Sequence, residues 1–308
     1  MRRDVAVVSF AEFSADVEPA RNEVEMLIPL IQQVLAEAGL RQADIGVTLS
    51  GSSDYLQGQP FAFVAALDAV GAWPPIRESH VEMDGAFAVY EACQMLQHGD
   101  IDTALVYSFG RPTRGNLDRI LALQLDPYVV APLWPDARSL AGLQAQAMRD
   151  SGRFGDVAPV PPTVSRDGAA AMVLAVGDRA RELTDRPAWI RGIDHRIDPP
   201  GLGVRDLTTA PSAGIAARGA GVGAPGSGVD AAWLHAPYPH QAEILRAELG
   251  LGDVPVHAEA GAMMVGGLSR LGQAAQAIAR GDVRRAVAHA TSGACLQQNL
   301  VAVLEGAA

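Results

Sequence analysis

The chain has 308 residues, of which 49% are hydrophobic, and it carries a formal net charge of −11 with a pI near 5.0. This acidic balance disfavours nucleic acid and anionic membrane surfaces as partners, and no apolar run approaches the roughly 18–20 residues that span a membrane. All 24 basic residues are arginines, which excludes Schiff-base lysine chemistry and a Walker-type phosphate loop.

The two cysteines, Cys93 and Cys295, give neither a disulfide framework nor the paired spacing of a zinc site. We therefore expect a cytoplasmic protein without a bound metal. The apolar run at the N-terminus ends at Glu12, which predicts a first strand rather than a signal peptide.

Strands and helices are predicted to alternate up to residue 110. A buried strand over 4–10 is followed by a helix over 23–39, where apolar residues recur at helical spacing before a glycine. A strand over 44–49 and a second helix over 61–70 come next. This alternation predicts a layered α/β half with helices on both faces of a sheet.

The stretch 81–110 is the most informative part of the chain. Its amphipathic helix should begin near Asp84 or Gly85 and end at His98 and Gly99, and the apolar residues 103–109 should then form a buried strand. The carboxylates of Glu82 and Asp84 have two interpretations. They are either functional groups or favourable charges in the first turn of a helix.

Residues 111–164 are rich in proline and contain one predicted helix, over 139–151. A turn, a small-residue strand and a helix start follow over 165–181. We expect an N-terminal half at 1–185, with 111–164 as its loop region, and a C-terminal half at 186–308.

The C-terminal half repeats this plan, with a strand over 186–194, a helix over 210–220, a loop over 225–228 and a strand, turn and helix over 229–251. His235 ends this last strand, Tyr238 follows a proline, and His240 begins the helix, where we expect it at the surface. A helix over 267–280 precedes two strands within 285–305, a segment that holds His289 and Cys295.

Both halves contain a small-residue helix, a Gly-Asp pair and a strand, and this duplication resembles the thiolase superfamily over nearly the whole chain. The segments LHAPY and HATSG…CLQQN resemble its lipid-transfer, or sterol-carrier-protein-X, branch. The resemblance implies a duplicated five-layered α-β-α-β-α fold. Counted back from Gly99, the nucleophilic cysteine of the family falls on Glu82, and the family's Gly-His-Pro histidine is absent.

On this alignment Glu82, His235 and His289 are the main catalytic candidates. Glu82 could act as a base or replace the charge of a substrate carboxylate. His235 could donate to a thioester oxygen or simply cap a turn, and His289 could be a base or a packed core histidine. The secondary candidates are Asp84, Tyr238, His240, His257, which takes the position of a family asparagine, and Cys295.

The resemblance implies a protein of lipid or steroid catabolism that cleaves a sterol side-chain β-hydroxyacyl-CoA by a retro-aldol reaction, with a small OB-fold, zinc-ribbon partner. Such cleavage needs a base and hydrogen-bond donors but no acyl-carrying cysteine. The alternatives are an inactive pseudo-thiolase subunit that supports an active paralogue, an acyl-CoA or lipid-binding protein, and an acyl-CoA acyltransferase. No cofactor is implied besides coenzyme A in the substrate. The apolar excess predicts an obligate homodimer or heterodimer with a thiolase-like chain.

Overall fold

The structure is a computed structural model that describes residues 3–15, 21–164, 166–223 and 228–307. Within these ranges the strands are β1 (Val5–Ala15), β2 (Val47–Gly51), β3 (Glu78–Val81), β4 (Thr103–Gly110), β5 (Asp167–Val176), β6 (Ala188–Ile197), β7 (Ala231–His235), β8 (Val256–Glu259), β9 (Arg285–Ser292) and β10 (Gln298–Glu305). The helices are α1 (Glu23–Glu37), α2 (Asp54–Gln57), α3 (Leu67–Val70), α4 (Gly85–His98), α5 (Leu117–Leu123), α6 (Ala137–Ser151), α7 (Gly177–Leu183), α8 (Pro211–Gly219), α9 (Pro239–Glu248) and α10 (Gly266–Arg280). Among the helices of these ranges, none combines the length and the apolar character that crossing a membrane requires.

The strands form one sheet in the order β3-β2-β4-β5-β1-β6-β10-β9-β7-β8. In each half two strand pairings are parallel and two are antiparallel, so four strands run in one direction and one (β5 or β10) runs in the other. The order β3-β2-β4-β5-β1 has the same arrangement as β8-β7-β9-β10-β6. The two halves meet where β1 pairs with β6, over only the three residue pairs that begin with Val5 and Ile190. The sheet therefore repeats one five-strand plan.

Helices α4 and α10 contact each other and share one apolar core with inward-facing residues from both halves of the sheet. A second core lies between the first half of the sheet and α1 with α3, and a third lies between the second half and α8 with α9. The layers thus run helix, sheet, helix, sheet, helix. The five-layered α/β architecture predicted from the sequence is confirmed.

Close packing in the central layer depends on small residues. Gly272 of α10 faces Phe10 of β1, and a Cβ atom at Gly272 would lie 2.2 Å from the phenylalanine ring. Any larger side chain there would push α10 away from the sheet. The middle of α10 is held in this way close against β1.

No range was predicted for four elements, α2, β3, α5 and β8. Strand β3 is short, partly exposed and rich in polar residues, so it lacks the apolar run by which buried strands are recognised. Helix α5 lies within 111–164, where the sequence predicts only the helix now seen as α6. Strand β1 also extends beyond residue 10, to Ala15. The predicted loop over 225–228 lies outside the described residues except for Gly228.

Candidate active site

The carboxylate of Asp84 lies where the two central helices begin. Asp84 is the N-cap of α4, and its Oδ1 accepts a hydrogen bond of 2.9 Å from the backbone N–H of Ala86. The same carboxylate accepts bonds of 2.9 Å from the N–H groups of Gly267 and Leu268, at the start of α10. Asp84 is therefore a buried anion held at the positive ends of two helices.

Burial dominates the ionisation of Asp84 and raises its pKa to about 6, because the charged form is costly away from water. The three backbone N–H donors and the charge of Arg270 oppose this shift. The carboxylate is thus ionised at pH 7 and titrates close to neutrality. A pKa in this range suits a general base.

Two glycines allow the close approach at Asp84. A Cβ atom at Gly267 would lie 2.6 Å from Asp84 Oδ1 and 2.4 Å from the Cβ of Ala290. A Cβ atom at Gly85 would lie 2.5 Å from the Cβ of Ser108. The Gly85 N–H donates to the carbonyl of Met264 at 3.0 Å, so the segment before α10 is also fixed against α4.

His235, at the end of β7, lies beside the same helix start. A Cβ atom at Gly266 would lie 2.7 Å from His235 Nε2, and Gly266 directly precedes the glycine that bonds Asp84. His235 Nδ1 accepts a long hydrogen bond of 3.5 Å from the N–H of Thr291. Burial, together with the neighbouring His289 and Arg270, lowers the pKa of His235 to about 3, so the imidazole is neutral.

Asp84 and His235 both line a cavity of about 190 Å³ that is enclosed on one side by α5 and α6. Tyr238 and Thr163 also line it, and their hydroxyl oxygens lie 2.8 Å apart. Burial raises the pKa of Tyr238, so its phenol stays protonated near neutral pH. The rest of the lining is largely apolar and includes Leu121, Leu125, Val130, Leu140, Leu202 and Met263.

Cys295 lines the cavity but is not an activated nucleophile. Its thiol donates to the carbonyl of Leu140 at 3.4 Å, and burial raises its pKa to about 11. Thiolate is therefore scarce at neutral pH. Cys93 is fully buried in α4, where burial raises its pKa to about 12, which agrees with a core position.

Glu82 does not lie at the start of a buried helix, and the expectation that placed it there is corrected. It precedes the N-cap Asp84 by two residues, is exposed, and is not among the residues that line the cavity. Its carboxylate accepts hydrogen bonds from the N–H of Asp54 at 2.8 and 3.0 Å and lies 3.3 Å from His80 Nε2. The carboxylate that reaches the cavity is Asp84.

Among the described residues, Asp54, His80 and Glu82 bring ligand atoms within 4.8 Å of one another, so they could share one cation. Both carboxylates also have structural roles. Asp54 accepts from the N–H groups of Phe61 and Ala62, and Glu82 accepts from the N–H of Asp54. These bonds fix the loop after β2 without an ion.

His289 lies in a buried polar network on the α8 side of the sheet rather than in the cavity lining. Its Nε2 donates to Asn299 Oδ1 at 2.9 Å, because the Asn299 amide nitrogen already donates to Ser212 Oγ and to the Leu296 carbonyl. Ser212 Oγ in turn donates to Asp198. Burial lowers the pKa of His289 to about 4, so the imidazole is neutral.

The expectation that His240 lies at the surface is wrong. It is 5% exposed, because α6 packs over the start of α9, and its Nε2 lies 3.3 Å from Gln144 Oε1. Burial lowers its pKa to about 4. His257 is exposed on β8 and stacks on Trp233 with ring centroids 4.9 Å apart, away from the cavity lining.

Of the predicted site residues, the structure thus brings together Asp84, His235, Tyr238 and Cys295 at one cavity, and places Glu82, His240, His257 and His289 elsewhere. Sequence reasoning missed Thr163 and the cavity-lining backbone around Met264 and Thr291. The three glycines within 261–267 were an available signal, because glycines indicate close backbone approach.

No protein-family model and no curated protein matches the sequence. Solved structures do match. Human mitochondrial 3-ketoacyl-CoA thiolase in complex with CoA is 16% identical, with a TM-score of 0.70, and the match covers 99% of this chain and 98% of that one. A Bacillus anthracis acetyl-CoA acetyltransferase is 14% identical, with a TM-score of 0.72 and 99% of both chains covered.

A chain of the Ltp2-ChsH2(DUF35) aldolase is also 14% identical, with a TM-score of 0.73 and coverage of 98% of this chain and 97% of that one. The identities are low, but the matches span both halves. With the repeated five-strand sheet and the buried central helices, they show that this chain has the thiolase fold.

Proposed function

We propose that this chain is a C–C lyase of the thiolase superfamily, which cleaves a β-hydroxyacyl-CoA of lipid or steroid catabolism by a retro-aldol reaction in the cytoplasm. The observation that carries the proposal is Asp84, a buried carboxylate in the cavity wall with its pKa raised to about 6. Asp84 stands at a helix start, two residues after Glu82, the position on which the resemblance places the family's reactive cysteine. A carboxylate can accept a proton but does not suit acyl transfer.

Asp84 has the capacity to bind a substrate hydroxyl. A carboxylate accepts up to about four hydrogen bonds, and Asp84 receives three from the backbone, of which only one goes to Oδ2. In the proposed reaction Asp84 takes the proton of the β-hydroxyl, the Cα–Cβ bond breaks, and the hydroxyl carbon becomes a carbonyl. The bonding electrons pass to Cα as a thioester enolate, which is then protonated to give the shortened acyl-CoA.

A donor for the enolate oxygen comes from the same cavity lining. The Tyr238 hydroxyl stays protonated and can donate when Thr163 donates to it in turn. His235 is a neutral imidazole and is therefore too weakly basic to compete with Asp84 for the proton. The roles thus divide between Asp84 as base, Tyr238 as donor and His235 as a positioning group beside the glycines of α10.

Thiolysis and other acyl transfer fit this cavity less well. Both proceed through a covalent acyl carrier in enzymes of this kind, and the thiol in the described cavity lining, Cys295, has its pKa raised to about 11. The aldolase among the matched structures supports the lyase assignment, and its two-part name supports a partner protein. The CoA-bound thiolase supports a CoA thioester as substrate. A steroid substrate and an OB-fold, zinc-ribbon partner are included in the proposal.

The test is turnover by the purified chain, with and without a co-expressed partner, measured by mass spectrometry of the acyl-CoA and carbonyl products. Wild-type protein should form both products in equal amounts, and Asp84→Asn and Tyr238→Phe should lower kcat by at least about 100-fold and 10-fold. Asp230→Asn is the matched control, because Asp230 also accepts backbone N–H bonds but lies at the opposite end of β7. Full activity of Asp84→Asn, or a trapped acyl-enzyme, would overturn the assignment.

One observation favours a second candidate, a non-catalytic subunit that supports an active paralogue. Asp84 and His235 are both already bonded to backbone groups, as in a site that has become structural. In that case the chain alone and the chain with its partner would both lack lyase activity toward β-hydroxyacyl-CoA. Adding the chain would instead raise the activity or stability of the paralogue.

A further inference from the structure

We infer that the cavity encloses only the reacting end of the acyl group, with a short branch, and that the body of a larger lipid stays outside it. This inference rests on the proposed function, because it assumes that an acyl-CoA occupies the cavity. The cavity measures about 190 Å³. Pockets for drug-sized ligands measure about 300–1,000 Å³, and a cavity of about 150 Å³ holds one benzene molecule. By proportion this cavity holds about seven or eight non-hydrogen atoms.

The distribution of polar and apolar groups orients such a ligand. Asp84 and His235 form a polar part of the wall at the start of α10. A different part is apolar, where Leu140 and Cys295 form one cluster with the partly buried Leu125 and Leu202. The thioester and β-hydroxyl belong at the polar wall, where the proposed base lies. The alkyl branch then meets the leucines, which is the arrangement that buries most apolar surface.

The apolar wall is fixed by buried hydrogen bonds. Gln144, one turn after Leu140 on α6, donates to the Leu207 carbonyl at 3.0 Å and accepts from Gln241 Nε2 at 2.9 Å. The thiol of Cys295 donates to the Leu140 carbonyl at 3.4 Å. Enlarging the cavity by moving α6 would break these bonds and leave buried polar groups without partners. These bonds therefore resist enlargement of the cavity on the side of the apolar wall.

The reacting atoms of a β-hydroxyacyl thioester already number five: the carbonyl carbon and oxygen, the α and β carbons and the hydroxyl oxygen. About two or three further carbons fill the remaining space. The enclosed part is thus a short or singly branched acyl group. A fused four-ring steroid attached to the β carbon would have to remain outside the cavity.

The test is calorimetric titration of the whole chain, with its partner where one is needed, by acyl-CoAs that lack the β-hydroxyl and so cannot react. We expect affinity to rise from acetyl-CoA to a maximum at butanoyl-CoA or hexanoyl-CoA and to fall about tenfold or more at octanoyl-CoA. A steroid side-chain CoA ester should bind no more tightly than hexanoyl-CoA. Affinity that keeps rising with chain length, or steroid binding about tenfold tighter than hexanoyl-CoA, would overturn the inference.

Substitutions of the cavity-lining leucines test which residues set the acyl length that binds most tightly. Leu140→Ala and Leu202→Ala should each move the maximum to a longer acyl chain, and Leu202 lies in a loop, so its variant tests the inference even where Leu140→Ala does not fold. Leu143→Ala is the matched control, because Leu143 is on the same helix but 50% exposed, and it should leave the maximum unchanged. A control shift equal to that of Leu202→Ala would count against the inference. If the chain lacks lyase activity but its affinity for acyl-CoAs still peaks at butanoyl-CoA or hexanoyl-CoA, the proposed function is refuted and this inference is not.

Discussion

Asp84 Oδ2 accepts the backbone N–H of Gly267 at 2.9 Å, although the two residues are 183 positions apart in the chain. One carboxylate from the N-terminal part of the fold thus accepts hydrogen bonds from two buried backbone N–H groups at the start of α10, in addition to one in its own helix. Neither half of the sheet could build this wall of the cavity by itself. The contact therefore ties the geometry of the candidate site to the docking of α4 on α10.

Replacing Asp84 by alanine should lower the free energy of unfolding by about 3 kcal/mol or more, because it leaves three buried N–H groups without an acceptor. Urea denaturation followed by circular dichroism measures the change. The control is Asp230→Ala, whose exposed carboxylate also accepts two backbone N–H groups. Water can replace that acceptor, so the control should lose less than about 1 kcal/mol. Equal losses would contradict the structural role of Asp84.

The pH dependence of stability should carry a contribution from Asp84. Its pKa is raised from 3.8 to about 6 on folding, so between these values the folded chain binds this proton more readily than the unfolded chain. This contribution to the free energy of unfolding is therefore largest below about pH 4 and falls as the pH rises to about 6. Wild-type protein and Asp84→Asn should differ in slope only within this window. Parallel curves from pH 4 to 6 would show that the Asp84 pKa is not raised.

The two neighbouring carboxylates should behave differently on substitution. Glu82→Gln should leave cleavage of β-hydroxyacyl-CoA within about twofold of wild type, because Glu82 is exposed and outside the cavity lining. Asp84→Asn should abolish most of it. The measurement is the steady-state rate of β-hydroxyacyl-CoA cleavage by wild type and the two variants, all prepared together. A larger loss in Glu82→Gln than in Asp84→Asn would return the catalytic role to Glu82.

Much of the fold could be predicted from the sequence because its signals are local. The helix now seen as α4 was recognised from apolar spacing and the stop at Gly99, whose φ of 105° is readily adopted by glycine. Local sequence could not show which of Glu82 and Asp84 reaches the cavity. It depends on which carboxylate meets the start of α10, a contact between distant parts of the chain. For the same reason the burial of His240 under α6 could not be read from its position at a helix start.

The close approach at the start of α10 gives a test of packing. Gly267→Ala should lower the free energy of unfolding by about 1–3 kcal/mol, because the new methyl group would overlap Asp84 and Ala290. Gly142→Ala is the matched control within helix α6, where a Cβ atom meets nothing within 4 Å. That variant should instead stabilise the protein by about 0.4–1 kcal/mol. Thermal and urea unfolding of both variants measure these changes in the free energy of unfolding. A stabilised Gly267→Ala would contradict the contact.

The last prediction concerns assembly, and it starts from an apolar surface that the monomer leaves open. Phe61, Trp73, Tyr128 and Leu133 are 65%, 88%, 87% and 79% exposed. Helix α2, which precedes Phe61 in the chain, contacts α5, which precedes Tyr128, and Gln124 donates to Ser53 Oγ. Strand β3, which follows Trp73 in the chain, lies at one end of the sheet, and among the described strands it pairs with β2 alone. Exposed apolar side chains next to an open strand edge are typical of a protein interface.

We therefore predict that the chain forms a dimer at micromolar concentration, with itself or with a thiolase-like chain. Light scattering after size exclusion should give twice the monomer mass of 32.2 kDa, or the mass of a one-to-one complex. Tyr128→Asp and Leu133→Asp should shift the population towards monomer, because a buried, unpaired charge is costly at an interface. Ile197→Asp is the control, since Ile197 is 62% exposed on β6, away from these segments. A fully active monomer would remove the prediction, whereas activity that depends on an added partner chain would favour the mixed assembly.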